Sequence, residues 1–328
     1  MELRTQIKTE KPVFTFSHKE TTLLLGSCFA ENIGEKLSNL YFPVDINPFG
    51  TLYNPASVAS GIRMLLEVKP LSSSSLFLHE AMYHSFTHHS RFSGITKEEC
   101  LRKINERLAL SSGCMKNAKR MIITFGTAWV YRLKASGEVV ANCHKLPDKL
   151  FRRECLSVQE IVAEWEELLS SIWQINPSLK ILFTVSPVRH WKDGAHGNQL
   201  SKSTVLLAIN ELQRLFPEQT DYFPAYELMI DELRDYRFYA DDMLHPSPLA
   251  VEYIWERFSE MFFSRDTQRV VKELAEIEKA IRHRPFNPET EAHRKFQLQT
   301  LQKMKRVHEE IHTPAMAEAI KALENKLS

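Results

Sequence analysis

The stretch TTLLLGSCFAENIGEKL, residues 21–37, sets an unbroken apolar run against a helical pattern, with Gly26 at the join. Leu23 to Leu25 is too short for a helix and ends at a glycine, so it reads as a buried strand. Beyond the glycine, Ile33, Leu37 and Leu40 recur at helical spacing. Ser27 and Cys28 stand where the strand turns into the helix. A side chain there sits at the edge of a sheet, and its backbone N–H lies at a helix N-terminus that favours developing negative charge. Two nucleophilic residues at such a turn suggest chemistry, although a small residue after a glycine also makes an ordinary tight turn.

The same alternation continues along the chain. Strand-like runs are YFPVDI (41–46), RMIITF (120–125), LKILFTVSP (179–187) and part of TDYFPAYELM (220–229). Helical patterns cover 55–68, opened by Pro55, and then 96–110, 157–173, 200–216 and 247–263. Ser157 with Glu160 forms a capping-box pattern, and Ser247 precedes Pro248 as an N-cap before a first-turn proline. Residues 130–143 read as a hairpin around Gly137. The stretch 77–94 is rich in aromatics and histidines without clear period, and 186–203 reads as a long polar loop. Unbroken apolar strands alternating with helices predict an α/β fold: a flavodoxin-like, doubly wound parallel sheet of about five strands. Ligands of such sheets sit at the carboxyl ends of the strands, where Gly26, Gly126 and Ser186 fall.

After residue 264 strand signals stop and three charged amphipathic helices follow, broken by RPFNP (284–288) and by Thr313-Pro314. The expected division is an α/β domain over 1–264 and a C-terminal helical extension over 265–328, packed on the core or on a second copy of the chain. The chain has 328 residues and a formal net charge of +1, so no overall field points to nucleic acid or an anionic membrane. No stretch approaches the roughly 20 apolar residues of a membrane span. The first residues lack the apolar core of a secretory signal. Five scattered cysteines form no disulfide or zinc pattern. These features predict a cytoplasmic protein with reduced thiols.

The second chemical signal is Asp242 and His245 in YADDMLHPSP, just before the helix at 247. Three residues of separation let the carboxylate reach the downstream imidazole, fix its tautomer and leave Nε2 as a general base. An early nucleophile turn combined with a late Asp-x-x-His resembles the SGNH/GDSL hydrolase superfamily. The nearer resemblance is to the GSCFA family, on Gly26-Ser27-Cys28-Phe29-Ala30 and on FGTAWVY (125–131), NCHKLP (142–147) and SPVRHW (186–191). It covers roughly residues 15–265 and implies the SGNH hydrolase-like form of the sheet. Where the superfamily reads Gly-Asp-Ser, this chain reads Gly-Ser-Cys. Ungapped register puts Cys28 in the nucleophile's place; a one-residue adjustment puts Ser27 there. Cys28 beside a helix N-terminus and His245 is expected to have a lowered pKa. The resemblance also implies a glycine N–H and an asparagine among the oxyanion donors. Gly50 fits the first. No asparagine stands at the second place, so Thr127 is the candidate, with Asn47, Asn54 or Asn142 as substitutes.

Weaker signals complete the candidate substrate site. His84, His88 and Arg91 offer groups for an anion, and no acidic partner nearby supports a metal site. Asn142 and His144 lie in a loop named by the resemblance. Cys143 and His144 are not a catalytic pair, because adjacent residues of a strand point to opposite faces. Arg189, His190 and Lys202 could hold a carboxylate or phosphate. The expected function is an SGNH-like esterase or deacylase acting on an acylated small molecule or carbohydrate through a covalent acyl-enzyme, without metal or cofactor. The alternatives are an acyltransferase using the same residues and a non-catalytic binding module.

Overall fold

The computed structural model describes residues 5–8, 11–283, 285–287 and 290–327, so the break expected over 284–288 lies partly outside the described residues. The opening apolar run is β1 (Thr22–Gly26), buried along its whole length. Further strands are β2 (Val44–Ile46), β3 (Phe77–His79), β4 (Met82–His84), β5 (Arg120–Phe125), β6 (Trp129–Leu133), β7 (Val139–Val140), β8 (Phe151–Cys155), β9 (Lys180–Val185) and β10 (Thr220–Phe223). The helices are α1 (Cys28–Asn39), α2 (Pro55–Glu67), α3 (Lys97–Asn117), α4 (Val158–Ile175), α5 (Gly194–Leu215), the short α6 (Ala225–Glu227), α7 (Pro248–Phe262), α8 (Arg265–Arg282), α9 (Glu291–Ile311) and α10 (Pro314–Leu327).

Five strands form one parallel sheet in the order β10-β9-β5-β1-β2. Counted along the chain this is 2-1-3-4-5, a common order of doubly wound sheets. Alternate residues feed two cores. Leu23, Leu25, Met121, Ile123, Phe125, Ile181 and Phe183 pack with Ile62, Trp165 and Ile209 from α2, α4 and α5. Leu24, Ile122 and Leu182 face the other way, onto Phe29 and Ile33 of α1 and Phe258 of α7. A sheet covered on both faces explains why its strands read as continuous apolar runs.

The three C-terminal helices belong to that second layer. Leu274, Met304 and Met316 from α8, α9 and α10 are buried in the same apolar cluster as α1 and α7. Fully burying such a side chain contributes about 1.5–3 kcal/mol.

Three local expectations change. The second strand starts at Val44, because Tyr41 takes a left-handed φ of 60° and turns the chain first. The hairpin around Gly137 gains a third strand, giving β7-β6-β8. Phe151–Cys155 reads FRREC and hides its strand character behind charges, because one side of this small sheet is wet. The polar loop expected over 186–203 ends early, at Gly194, where α5 begins. Its inward residues Asn198, Ser201 and Lys202 are polar, so the first turns show no apolar stripe.

The join at Gly26 depends on having no side chain. Its φ is 138°, and a Cβ there would lie 2.2 Å from the Thr124 carbonyl oxygen on β5. Gly26→Ala is therefore expected to cost at least about 3 kcal/mol, from strain and backbone clash together. Urea unfolding of the two proteins measures it, and a loss below about 1 kcal/mol contradicts the close approach.

Candidate active site

The strand–helix turn presents Ser27 and Cys28 differently. Ser27 is the N-cap of α1; its Oγ accepts from the Phe29 N–H at 3.2 Å, and the residue is 1% exposed. Cys28, the first helical residue, is only partly buried. The segment from Asn47 to Asn54 laces the strand ends together. Asn47 Oδ1 accepts from the Gly26 N–H (3.0 Å), and the Gly26 carbonyl accepts from Leu52 (2.9 Å). The Tyr53 carbonyl accepts from Gly126 (2.7 Å) and Thr127 (3.0 Å) at the end of β5.

Asp242 and His245 form the pair their spacing suggested. His245 Nδ1 bonds Asp242 Oδ2 at 2.6 Å, while Asp242 Oδ1 accepts from the Leu244 and His245 N–H groups at 2.9 Å each. The N–H donors of His245 and Leu244, and then the ring, hold the Asp242 carboxyl down at about 2. A carboxylate at Nδ1 makes that nitrogen the donor and leaves Nε2 open. The turn is tied back to the sheet edge by the Arg189 N–H, which donates to the Leu244 carbonyl at 3.1 Å.

Ser27, Cys28, Thr51, Asn54, Thr127 and His245 all line one cavity of about 580 Å3 at the carboxyl ends of β1, β5 and β9. Trp129, Tyr131 and Arg153 of the small sheet and the loop from Arg189 to Asp193 make its other walls. No hydrogen bond joins the Cys28 thiol to His245 among the described residues. A larger cleft, about 1490 Å3, lies between residues 5–8 and the segment around Asp231–Phe238, and its lining holds no cysteine, serine or histidine.

The thiol differs from its expected state. Burial pushes the Cys28 pKa above its ordinary value, against the lowering effect of the Cys28 and Phe29 N–H groups and of Lys202. The helix N-terminus and His245 suggested a lowered pKa; desolvation outweighs them.

Lys202 is the residue that sequence reasoning misplaced. It lies on α5, is 1% exposed, and donates from Nζ to the Gly126 and Ser186 carbonyls at 2.7 Å each. It therefore bridges the ends of β5 and β9, with the Tyr226 ring 5.3 Å away. Continuing the inward stripe Val205, Ala208/Ile209, Leu212 back by one turn lands on Ser201 and Lys202, which is the signal that could have found it.

Of the other expected residues, Asn142, Arg189 and His190 line the cavity. His84, His88, Arg91 and His144 do not. His84 bonds Ser93 (2.6 Å), His88 bonds Thr87 (2.9 Å), and His144 bonds the Ser85 carbonyl (2.8 Å), all buried. Arg91 is held by Glu31 and by the Asn47 carbonyl. The Gly50 N–H is committed to the Asn47 carbonyl at 2.8 Å and does not line the cavity. Thr127 does, but its hydroxyl shares a bond with Ser201 (2.8 Å) and accepts from the Trp129 N–H. Among the described residues no group of three His, Cys, Asp or Glu is arranged to hold a metal, and no helix is long and apolar enough to cross a membrane.

This is an α/β protein whose five-stranded parallel sheet brings an early thiol and a late Asp–His pair to one cavity. The chain belongs to the GSCFA family: that family's pattern matches residues 21–258, and the GSCFA domain protein, C-terminal domain, matches 274–328. No curated protein matches the chain. A solved structure described as "a putative platelet activating factor from Streptococcus pneumonia" is similar at 13% identity, over 75% of this chain and 85% of that one, with a TM-score of 0.37. That likeness is too slight to carry an argument.

The buried ammonium gives a testable pH dependence. Burial lowers the Lys202 pKa to about 7, whereas an unfolded lysine titrates near 10.4. Below pH 7 both states are charged and the burial cost is fully present. Between pH 7 and about 10 the unfolded chain binds the extra proton, so stability rises with pH. Compared with Lys202→Met, the wild type should gain a few kcal/mol of relative stability between pH 7 and pH 10, read by urea unfolding. A pH-independent difference contradicts the assignment.

Proposed function

We propose that the protein is an SGNH-like acyl hydrolase that works through a thioester on Cys28. The observation that carries this reading is the shared cavity, whose lining includes both Cys28 and the histidine of the Asp242–His245 pair. The 2-1-3-4-5 sheet order and the position of the site at the strands' carboxyl ends support an SGNH-type fold.

In the reaction, His245 Nε2 takes the thiol proton as Sγ attacks the ester carbonyl. The tetrahedral oxyanion collapses, and His245 returns the proton to the departing alkoxide. Water, deprotonated by the same nitrogen, then cleaves the thioester. Because burial keeps the Cys28 thiol protonated, the base must act in the attack itself. Asp242 fixes the ring's tautomer and supports the imidazolium.

Ser27 is a poorer nucleophile here, since its oxygen caps α1. The oxyanion donors favoured by the geometry are the Cys28 N–H, the Thr51 N–H and Asn54 Nδ2. Asn54 caps α2 through Oδ1, bonded from Ser57 at 2.8 Å, and no partner among the described residues takes its Nδ2. Thr51 likewise has no hydrogen-bond partner among the described residues. Trp129, Tyr131 and Trp191 supply flat faces suited to an acylated carbohydrate or similar small ester.

Incubation with p-nitrophenyl acetate followed by peptide mass spectrometry should find the acetyl group on Cys28. Cys28→Ala should abolish the adduct, and His245→Ala should cut turnover by at least about 10³-fold. Ser27→Ala should keep the adduct and lose about 1 kcal/mol of stability as a cap. An adduct on Ser27 reverses the assignment. No adduct and no turnover on any short ester leaves a binding module; an adduct discharged to added alcohols but not to water makes the protein an acyltransferase.

Asn54→Asp keeps the cap oxygen and removes the donor. It should lower kcat by about 10²–10³-fold with little change in stability. Unchanged kcat removes Asn54 from the oxyanion site.

A further inference from the structure

The walls of the cavity carry an uneven set of charges. Arg153, Arg189 and Lys192 line it, against the single lining carboxylate of Asp193. Asp193 is spent on Arg153, whose guanidinium also lies over the rings of Trp129 (4.2 Å) and Tyr131 (5.6 Å). Lys192 Nζ donates to the neutral Tyr131 hydroxyl at 2.7 Å, and the Asp148 carboxylate, which does not line the cavity, acts on it from farther off. Arg189 stands over the Trp191 ring at 4.6 Å, and its guanidinium has no hydrogen bond or carboxylate among the described residues. The nearby histidine adds no charge, since burial and the neighbouring Lys202 hold His190 down at about 4.

A guanidinium braced by an aromatic face keeps its planar fork of donors unspent and loses little freedom when it binds a two-oxygen anion. Arg189, with no carboxylate partner, and Lys192, on a neutral hydroxyl, line the same cavity as Cys28 and form a subsite for a negative group. We infer that the ligand of this cavity carries a carboxylate or phosphate, held by Arg189 and Lys192 while Trp129, Tyr131 and Trp191 contact its body. This rests on reading the cavity as the substrate site, and it narrows the substrate from any small ester to an anionic one.

The test compares alkylation of Cys28 by iodoacetate, which is anionic, and iodoacetamide, which is neutral. Both form a thioether with loss of iodide, so neither needs catalysis. The rate ratio at Cys28, followed by peptide mass spectrometry, is normalised to the ratio on free cysteine. In wild type the normalised ratio should exceed one by several-fold and fall with salt. Arg189→Gln with Lys192→Met should lower it by about twofold to fivefold per charge removed. Lys116→Met, a substitution on α3 away from the cavity, should leave it unchanged.

Protection of Cys28 from iodoacetamide by inorganic phosphate, set against acetate, distinguishes the two anions. A wild-type ratio near one overturns the proposal. A raised ratio that survives in the double variant also overturns it, because the field then comes from elsewhere. These readouts do not involve ester turnover, so an inactive protein with a raised, Arg189-dependent ratio would sink the hydrolase reading and leave the anion subsite standing.

Discussion

A buried ammonium group holds the active edge of the sheet together. Lys202 donates to the last carbonyls beyond β5 and β9, and the segment from Asn47 to Asn54 ties the ends of β1 and β5. Carbonyls at the carboxyl edge of a parallel sheet have no further strand partners, and a buried unpaired carbonyl is costly. The lysine satisfies two of them at the cost of its own desolvation. The same burial lowers the lysine's pKa to about 7, and the Cys28 group acts in the opposite direction. One side chain thus ties two strand ends together and adds a smaller lowering influence on a thiol whose state is set mainly by burial.

Burial sorts the ionisable groups of the protein into separate roles. His18, His88 and His190 are pushed down to about 4, about 3 and about 4, mainly by desolvation, and remain neutral over the physiological range. His245 is half-exposed and fixed at Nδ1 by Asp242, which leaves its other nitrogen without a hydrogen bond among the described residues. The thiol stays protonated through the same desolvation that neutralises the histidines. A protonated nucleophile beside an oriented base is a resting state that becomes reactive when a substrate carbonyl completes the geometry.

Strong period made the sheet legible from the sequence. Leu23–Leu25, Met121–Phe125 and Ile181–Val185 are apolar on both faces, and nothing but a strand covered twice looks like that. The Asp242–His245 pair was legible because its geometry is local. The rest of the site depends on distant contacts. His84 and His88 read as anion-holding groups near Arg91, and His144 as part of a pocket loop by resemblance, but their partners Ser93, Thr87 and Ser85 hold them in a buried network. Gly50 carried the residue type of an oxyanion donor, while its N–H was spent on a turn. Lys202 read as an anion ligand in a polar loop, because a lysine on an inward helical stripe looks like an interruption of the helix. The strand Phe151–Cys155 was hidden for a similar reason, its pattern masked by charged residues, one of which, Arg153, lays its guanidinium over the Trp129 ring.

The central claim is that folding brings the Cys28 sulfur and the His245 imidazole to one reaction centre. A crystal structure of the protein with Cys28 carrying a stable acyl-mimicking adduct tests it most directly. The account predicts His245 Nε2 within about 4 Å of Sγ or of the adduct's leaving-group position, with Nδ1 still on Asp242. A ring turned to solvent away from the adduct, with the Asp242 bond intact, would contradict it.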